Sequence, residues 1–205
     1  MEDEFKLFDQ YNNKEDSTKK ISFMGRECRH CNIMEDNGIK LCLDCGEELN
    51  RNIGFEKEWR YYEDISVGEK RKSENYFVTE DEIIDFASNY DPQWFHTDTN
   101  EAKNSRFKSI IASGIHVAAL WRQLDHKING DINFVCGIGW DKVRWKNPLY
   151  PNNEIYVTSE CLSKHDTTSN EKGVVIFDHA VKFADGKDIL VFTGTCLIYK
   201  RNLKL

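Results

Sequence analysis

The sequence predicts an α+β fold in which an antiparallel sheet wraps around a buried central helix, preceded by a small cysteine-rich module. Three observations lead to this prediction. The segment "SGIHVAALWRQLDHKI" is apolar over most of a helical circumference, as in a buried helix. Four strand-like segments follow it, joined by short turn sequences. Two Cys-x-x-Cys pairs stand near the N-terminus, apart from the other three cysteines.

Composition and charge limit the classes of function. The 205 residues are 40% hydrophobic and 12% aromatic, which is enough for a packed core. The net charge of −7 argues against a nucleic-acid or anionic-membrane partner, because such surfaces attract proteins with excess Lys and Arg. No segment approaches the roughly 20 apolar residues of a membrane span, and the acidic N-terminus has no apolar signal core. We therefore expect a soluble, cytoplasmic protein.

The chain is expected to contain three parts. Residues 1–20 are charged and aperiodic, as in a flexible acidic tail, residues 21–55 form a zinc-ribbon-like module, and residues 56–205 form the main domain. The two Cys-x-x-Cys pairs of the module are ten residues apart, and four thiolates form a closed tetrahedral site with no open position for chemistry. The expected ligands of this structural zinc are Cys28, Cys31, Cys42 and Cys45.

Two alternatives to zinc are a set of reduced cysteines and an iron site of rubredoxin type. Residues 1–55 carry 8 basic and 12 acidic residues, which disfavours a nucleic-acid role for the module. A protein partner that docks on the zinc ribbon is one interpretation, and the sequence leaves the role of the module open.

The main domain begins with strand-like patches and a short helix. "YYEDISVGEKRKSENYFVT" contains two such patches with a turn at Gly68. In "TEDEIIDFASNY", Thr79 and Glu82 have the spacing of a capping box. The helix should end at Asp91, because Pro92 disfavours a helical conformation in the residue before it.

The central helix opens at Ser113–Gly114 and is predicted to be buried rather than to lie on a surface. The predicted strands after it are "INFVCGIGWDKVRW", "NEIYVTSECLSKHD", "GVVIFDHAVKFA" and "DILVFTGTCLIYKR". The turns between them are "NPLYPNN", "TTSNEKG" and "DGK".

The stretch "SNYDPQWFHTD", together with "ASGIHVAAL" and "VRWKNPLYPNNEIYV", resembles the MaoC-like dehydratase family of hot-dog folds, the (R)-specific enoyl-CoA hydratases. The resemblance covers about residues 61–201. The family places an aspartate five residues before a histidine with a proline between them, and Asp91 and His96 have this spacing. The family's glycine at the start of the central helix falls on Gly114. Tyr90 stands where the family commonly has glycine, and Arg122 lies near the register of a small hydroxyl residue of the best-studied hydratases.

The resemblance implies a hydratase/dehydratase that adds or removes water across the 2,3 double bond of an enoyl thioester of coenzyme A or acyl carrier protein. His96 and Asp91 would share the reacting water, with Asp91 also placed to deliver the proton. Gly114 would offer its N–H to the enolate oxygen at a helix N-terminus. No catalytic cofactor is expected, and the family implies at least a homodimer.

Neighbouring residues are candidates for substrate contacts. Gln93, Trp94 and Ser113 adjoin the predicted site, and Trp94 would narrow the pocket. A basic stretch between the histidine and the central helix could meet the phosphates of coenzyme A, with a solvated loop as the alternative. It contains Lys103, Arg106 and Lys108.

Structural roles compete with each of these predictions. Taken alone, Asp91 could merely end a helix, His96 could be a structural histidine, and Gly114 could be a tight turn. Their joint spacing favours an active site. Other residues nearby receive structural interpretations: His116 in the core or an interface, Asp98 as a cap or loop residue, and Trp145 and Pro148 in packing. A hot-dog thioesterase and a non-catalytic scaffold that binds acyl thioesters are the competing functions.

Overall fold

The structure is a computed structural model that describes the backbone of residues 33–36 and 39–42 and, in full, residues 58–201. The chain divides into two units, Met1–Glu56 and Lys57–Leu205. In the first unit, β1 (Ile33–Asp36) pairs antiparallel with β2 (Ile39–Cys42), and Ile33 lies opposite Cys42. The predicted tail and the predicted ligands Cys28, Cys31 and Cys45 lie outside the described residues, as does the side chain of Cys42.

The second unit contains an antiparallel sheet of six described strands. Their bounds are β3 Lys70–Lys72, β4 Tyr76–Val78, β5 Phe134–Trp145, β6 Asn153–Asp166, β7 Lys172–Phe183 and β8 Asp188–Tyr199. The strand order is β3-β6-β7-β8-β5, and β4 also pairs with β6. The four long strands begin and end within two residues of their predicted bounds, because alternating β-branched and aromatic residues and short turns mark them locally. The strand prediction is therefore confirmed.

A short helix, α1 (Glu80–Tyr90), leads to the candidate site. The Thr79 hydroxyl accepts a hydrogen bond from the Glu82 N–H at 3.2 Å, so the predicted N-cap is confirmed. The second half of the predicted capping box is replaced, because the Glu82 carboxylate accepts a hydrogen bond from the Tyr76 hydroxyl at 2.9 Å. Asp91 caps the C-terminus of α1, where Pro92 follows.

The segment "DPQWFH" contains the start of a single helical turn, α2 (Trp94–Thr97), which is followed by another, α3 (Thr99–Ala102). The Asp98 carboxylate accepts hydrogen bonds from the N–H groups of the first two residues after Thr99, which confirms its predicted capping role. Short turns of this kind lack the periodic pattern that marks a longer helix in a sequence.

The central helix, α4 (Gly114–Asn129), begins and ends within one residue of its predicted bounds. Its buried apolar residues pack against the sheet; they are Val117, Leu120, Trp121 and Leu124. The predicted burial of this helix is found on the side that faces the sheet, while Ile115 is 57% exposed and Ala119 is exposed as well. The sheet of one chain covers only one side of a helix, so an apolar residue on the other side stays at the surface.

Among the described residues, the structure contains no helix that is long and apolar enough to cross a membrane.

Candidate active site

The structure brings Asp91 and His96 together where α1 ends and α2 begins. The Asp91 Oδ2 atom and the His96 Nε2 atom are 3.7 Å apart. Pro92 ends α1, and the turn of α2 then places the imidazole back towards the carboxylate. Asp91 thus ends a helix and also faces His96, so this geometry agrees with both interpretations of the residue, and its catalytic role stays a prediction.

The His96 ring is held in one orientation. Its side chain is buried, and its Nδ1 atom lies 2.7 Å from the carbonyl oxygen of Ile111. A carbonyl only accepts, so Nδ1 carries the proton and donates it to Ile111. In a neutral ring, Nε2 then presents its lone pair towards Asp91. Phe95 packs edge-on against the imidazole, with ring centroids 4.5 Å apart.

The Asp91 carboxylate accepts hydrogen bonds on both oxygens. The Ser113 hydroxyl donates to Oδ2 at 2.5 Å, and the Gln93 side-chain amide donates to Oδ1 at 3.0 Å. These bonds hold the pKa of Asp91 below its ordinary value. The bond from Ser113 contributes most, that from Gln93 contributes less, and His96 adds a smaller effect. Asp91 is therefore a carboxylate that can receive a proton.

Ser113 links this carboxylate to the central helix. Its side chain is fully buried, and its hydroxyl also accepts a hydrogen bond from the Ile115 N–H at 3.2 Å as the N-cap of α4. The predicted substrate contact through Ser113 stays a prediction, and the contacts observed for its hydroxyl are with the protein. Gly114 follows as the first residue of α4, so its N–H lacks an acceptor within the helix and lies at the positive end of the helix dipole.

Trp145, at the end of β5, is the site neighbour that sequence reasoning missed. Its indole N–H donates to the carbonyl oxygen of Gly114 at 3.0 Å. The prediction for Trp145 was packing, since no local pattern reveals a contact between residues 31 positions apart. Pro148, given the same interpretation, is partly buried.

The other residues that were predicted to contact a substrate lie in three different places. Gln93 donates a hydrogen bond to Asp91, while Trp94 is exposed as the first residue of α2. The basic residues Lys103, Arg106 and Lys108 are exposed on the segment between α3 and α4. Lys103 donates to the side-chain carbonyl of Asn100 at 3.1 Å. The roles of all five residues towards a substrate stay predictions.

His116 lies in the core, as predicted. Its ring stacks on Phe86 of α1 with centroids 4.4 Å apart, and its Nε2 atom is 3.8 Å from the Glu82 carboxylate. Burial lowers the pKa of His116 to about 4, so this imidazole is neutral at physiological pH.

A second Asp–His pair lies in the core and has a different character. Asp125 Oδ1 is 3.8 Å from His179 Nδ1, and the imidazole packs against the aromatic rings of Trp121 and Phe192. Both side chains of this pair are only 4% exposed, whereas Asp91 is 21% exposed. A substrate from solvent can reach a partly exposed carboxylate, so Asp91 and His96 are the candidate catalytic pair. Within residues 58–201, no three His, Cys, Asp or Glu side chains form a metal-binding group.

The family model that matches this chain lies within its second unit. The family model described as "MaoC like domain" matches residues 64–182, which is more than half of the chain. A protein of Bacillus subtilis (strain 168), described as "Uncharacterized protein YdeM", is 30% identical over 136 residues, which are 64% of this chain and 92% of that protein.

Solved structures share the fold of the second unit. The MaoC-like dehydratase from Rhodospirillum rubrum superposes with a TM-score of 0.64 at 26% identity, covering 70% of this chain and 99% of that one. The unliganded R-hydratase PhaJ1 from Pseudomonas aeruginosa has a TM-score of 0.53 at 20% identity, covering 71% of this chain and 92% of that one. The predicted hot-dog fold of this unit is confirmed.

Proposed function

This chain belongs to the family of MaoC-like domains, and from that premise we propose that it is an enoyl-thioester hydratase/dehydratase. It would add or remove water across the 2,3 double bond of an enoyl (3-hydroxyacyl) thioester carried by coenzyme A or acyl carrier protein. The observation that carries the proposal is the Asp91–His96 pair beside the first turn of α4. The similar R. rubrum protein, described as a MaoC-like dehydratase, supports the same class of reaction.

The pair suits the handling of one water molecule. A separation of 3.7 Å lets a single water hydrogen-bond to both Asp91 Oδ2 and His96 Nε2. In hydration, the pair takes a proton from this water as its oxygen bonds to the β carbon, and the electron pair of the double bond moves to form the enolate. The proton held between the two side chains is then delivered to the α carbon. Dehydration is the reverse, so H and OH balance in both directions.

Gly114 is the proposed donor to the enolate oxygen. Its N–H is unpaired within the helix and lies at the N-terminus of a 16-residue helix, where negative charge is favoured. A donor fixed at the position where charge develops stabilises the transition state more than the ground state. The link from Asp91 through Ser113 to α4 supports this role, because it fixes the acid/base pair relative to the donor.

The proposed assembly is a homodimer. In the described sheet, β5 is an edge strand, and it exposes Trp140 and Trp145. The adjoining α4 exposes Ile115. An uncovered edge strand with large apolar side chains favours symmetric pairing with a second copy. A molecular mass in solution of twice 24.0 kDa would agree with this proposal, and a monomer mass would contradict it.

The first unit is proposed to bind one structural zinc ion. Ile33 pairs with Cys42, so the start of β1 lies beside the end of β2. Cys28 and Cys31 precede β1, and Cys45 follows β2, so an antiparallel hairpin suits the gathering of both Cys pairs at one end. Four thiolates would hold such an ion in a closed site that supports structure and leaves catalysis to the second unit.

The decisive experiment follows the loss of enoyl-thioester ultraviolet absorbance with crotonyl-CoA and a longer enoyl-CoA. We expect turnover by the wild type and a loss of at least about a hundredfold in Asp91→Asn and His96→Ala, the usual scale for a lost general acid/base. Asp98→Asn is the matched control, because the observed contacts of the Asp98 carboxylate are with the first turn of α3, which an asparagine can still cap.

The outcomes separate the competing functions. Release of free thiol without hydration would identify a thioesterase. Neither hydration nor thiol release would contradict an enzyme and favour a protein that only binds acyl thioesters. Full activity of both variants would show that the reaction does not use this pair.

A further inference from the structure

Trp145 occupies the space that a side chain at position 114 would need. A Cβ atom built on Gly114 would lie 3.0 Å from both Cε2 and Nε1 of the indole. Few real Cβ contacts are this close, so either the indole or the helix start would have to shift. The absence of a side chain at position 114 is therefore tied to the presence of this tryptophan. Close approach by a substrate is not the only reason for the glycine.

The same indole binds the Gly114 peptide directly. Its N–H donates to the Gly114 carbonyl oxygen at 3.0 Å, within the normal range for such a bond. Trp145 thus meets Gly114 in two ways, since its ring atoms lie where a Cβ would be and its N–H donates to the carbonyl oxygen. Glycine has the widest backbone freedom of any residue, and these two contacts restrict it at the first position of α4.

We infer that Trp145 is a positioning residue for the proposed reaction, which fixes the Gly114 backbone so that its N–H points at the developing enolate oxygen. The inference rests on the proposed function, because Trp145 acts through Gly114 and not on the substrate. Oxyanion donors depend on preorganised geometry, so a donor with free backbone rotation loses part of its effect in the transition state.

The first test is Trp145→Phe, which keeps an aromatic ring beside Gly114 and removes the N–H donor. We expect kcat for crotonyl-CoA to fall roughly three- to tenfold, the scale of one lost neutral hydrogen bond, while KM stays within about twofold. Trp140→Phe is the matched control, since Trp140 lies on the same strand, is 48% exposed and packs on Trp121 and Phe192 instead.

The outcomes distinguish this inference from the proposed function. If the wild type does not hydrate enoyl thioesters, the proposed function fails and the inference with it. If the wild type is active and Trp145→Phe matches it in kcat, only the inference fails. A rise in KM at constant kcat would also overturn it, because that pattern indicates a substrate contact.

A double-mutant cycle tests the steric contact between Trp145 and a side chain at position 114. We expect Gly114→Ala to lower kcat more in the wild type than in the Trp145→Ala background, where the methyl group has room. Equal effects in the two backgrounds would show that the indole is not what requires glycine at this position. Circular dichroism of each variant confirms that the fold is retained before kinetics are compared.

Discussion

Asp91 accepts hydrogen bonds on both of its carboxylate oxygens, and this decides its protonation state. The Ser113 hydroxyl at 2.5 Å and the Gln93 amide at 3.0 Å stabilise the charged form and lower the pKa of Asp91. A carboxylate with a low pKa is ionised across the physiological range, so in the proposed reaction Asp91 is free to share the proton that leaves the water. It gives that proton up readily, which suits transfer to a carbanion-like α carbon.

Ser113→Ala should shift the pH dependence of the reaction. Removing the strongest of the bonds to Asp91 raises its pKa, so protonation inactivates the variant at a higher pH than the wild type. We expect the acid limb of the kcat/KM profile to move to higher pH, and Gln93→Ala to move it the same way by less. A lower kcat with an unchanged acid limb would mean that Ser113 acts only as a helix cap.

His116 contributes to a pH-dependent stability that is separate from catalysis. Its pKa is lowered by burial from the ordinary 6.5 to about 4 in the folded protein. Between these values the unfolded chain binds a proton at this position and the folded chain does not, so the free energy of unfolding falls as the pH falls. The Glu82 carboxylate 3.8 Å away is the charged group that faces the ring.

His116→Phe should remove this dependence while it keeps a ring to stack on Phe86. In urea titrations, we expect the variant to lose about 2 kcal/mol less unfolding free energy than the wild type between pH 7 and pH 5. The comparison uses differences between the two pH values, so a change in absolute stability does not affect it. Equal losses in both proteins would contradict the assignment to this histidine.

At the scale of helices and strands, the sequence predicted the features that depend on residues close together in the chain. Thr79 and Pro92 mark the two ends of α1 through nearest-neighbour chemistry, and both ends are found where predicted. The contact of Trp145 with Gly114 depends on how β5 lies beside α4, which no local pattern reveals. The exposure of Ile115 has the same origin, because it depends on which side of α4 the sheet covers.

The segment between α3 and α4 is proposed to bind the phosphates of coenzyme A. Lys103, Arg106 and Lys108 are exposed there, and Lys108 has a φ of 59°, a backbone conformation in the left-handed region. A positive φ at a lysine turns the chain sharply within this basic segment. Three exposed cations within positions 103–108 suit the phosphates of a nucleotide in an otherwise acidic protein.

Replacing these three residues together with glutamine tests that role. We expect KM to rise for crotonyl-CoA and to change little for crotonyl-pantetheine, which has the same thioester without phosphates. The rise should shrink at high ionic strength, where exposed charges are screened. Equal changes for both thioesters would indicate that the segment supports the fold of the site and does not bind phosphate.

At the scale of the whole molecule, the proposed catalysis and the proposed metal binding belong to different units. The proposed catalytic groups and the donor Gly114 all lie in Lys57–Leu205, and the four clustered cysteines all lie in Met1–Glu56. The R. rubrum structure aligns with the second unit over nearly its whole length. A chain of that extent therefore forms this fold without an added cysteine-rich unit.

Deletion of residues 1–56 should leave the hydratase activity intact and remove the metal. We expect elemental analysis to find about one zinc per full-length chain and none in the chain of residues 57–205, because the closed site needs all four thiolates. Cys28→Ser with Cys42→Ser should remove the zinc from the full-length protein without changing kcat. If the shortened chain keeps its circular dichroism and loses turnover, the first unit takes part in catalysis. A full-length protein without zinc would show that the cysteines serve another purpose.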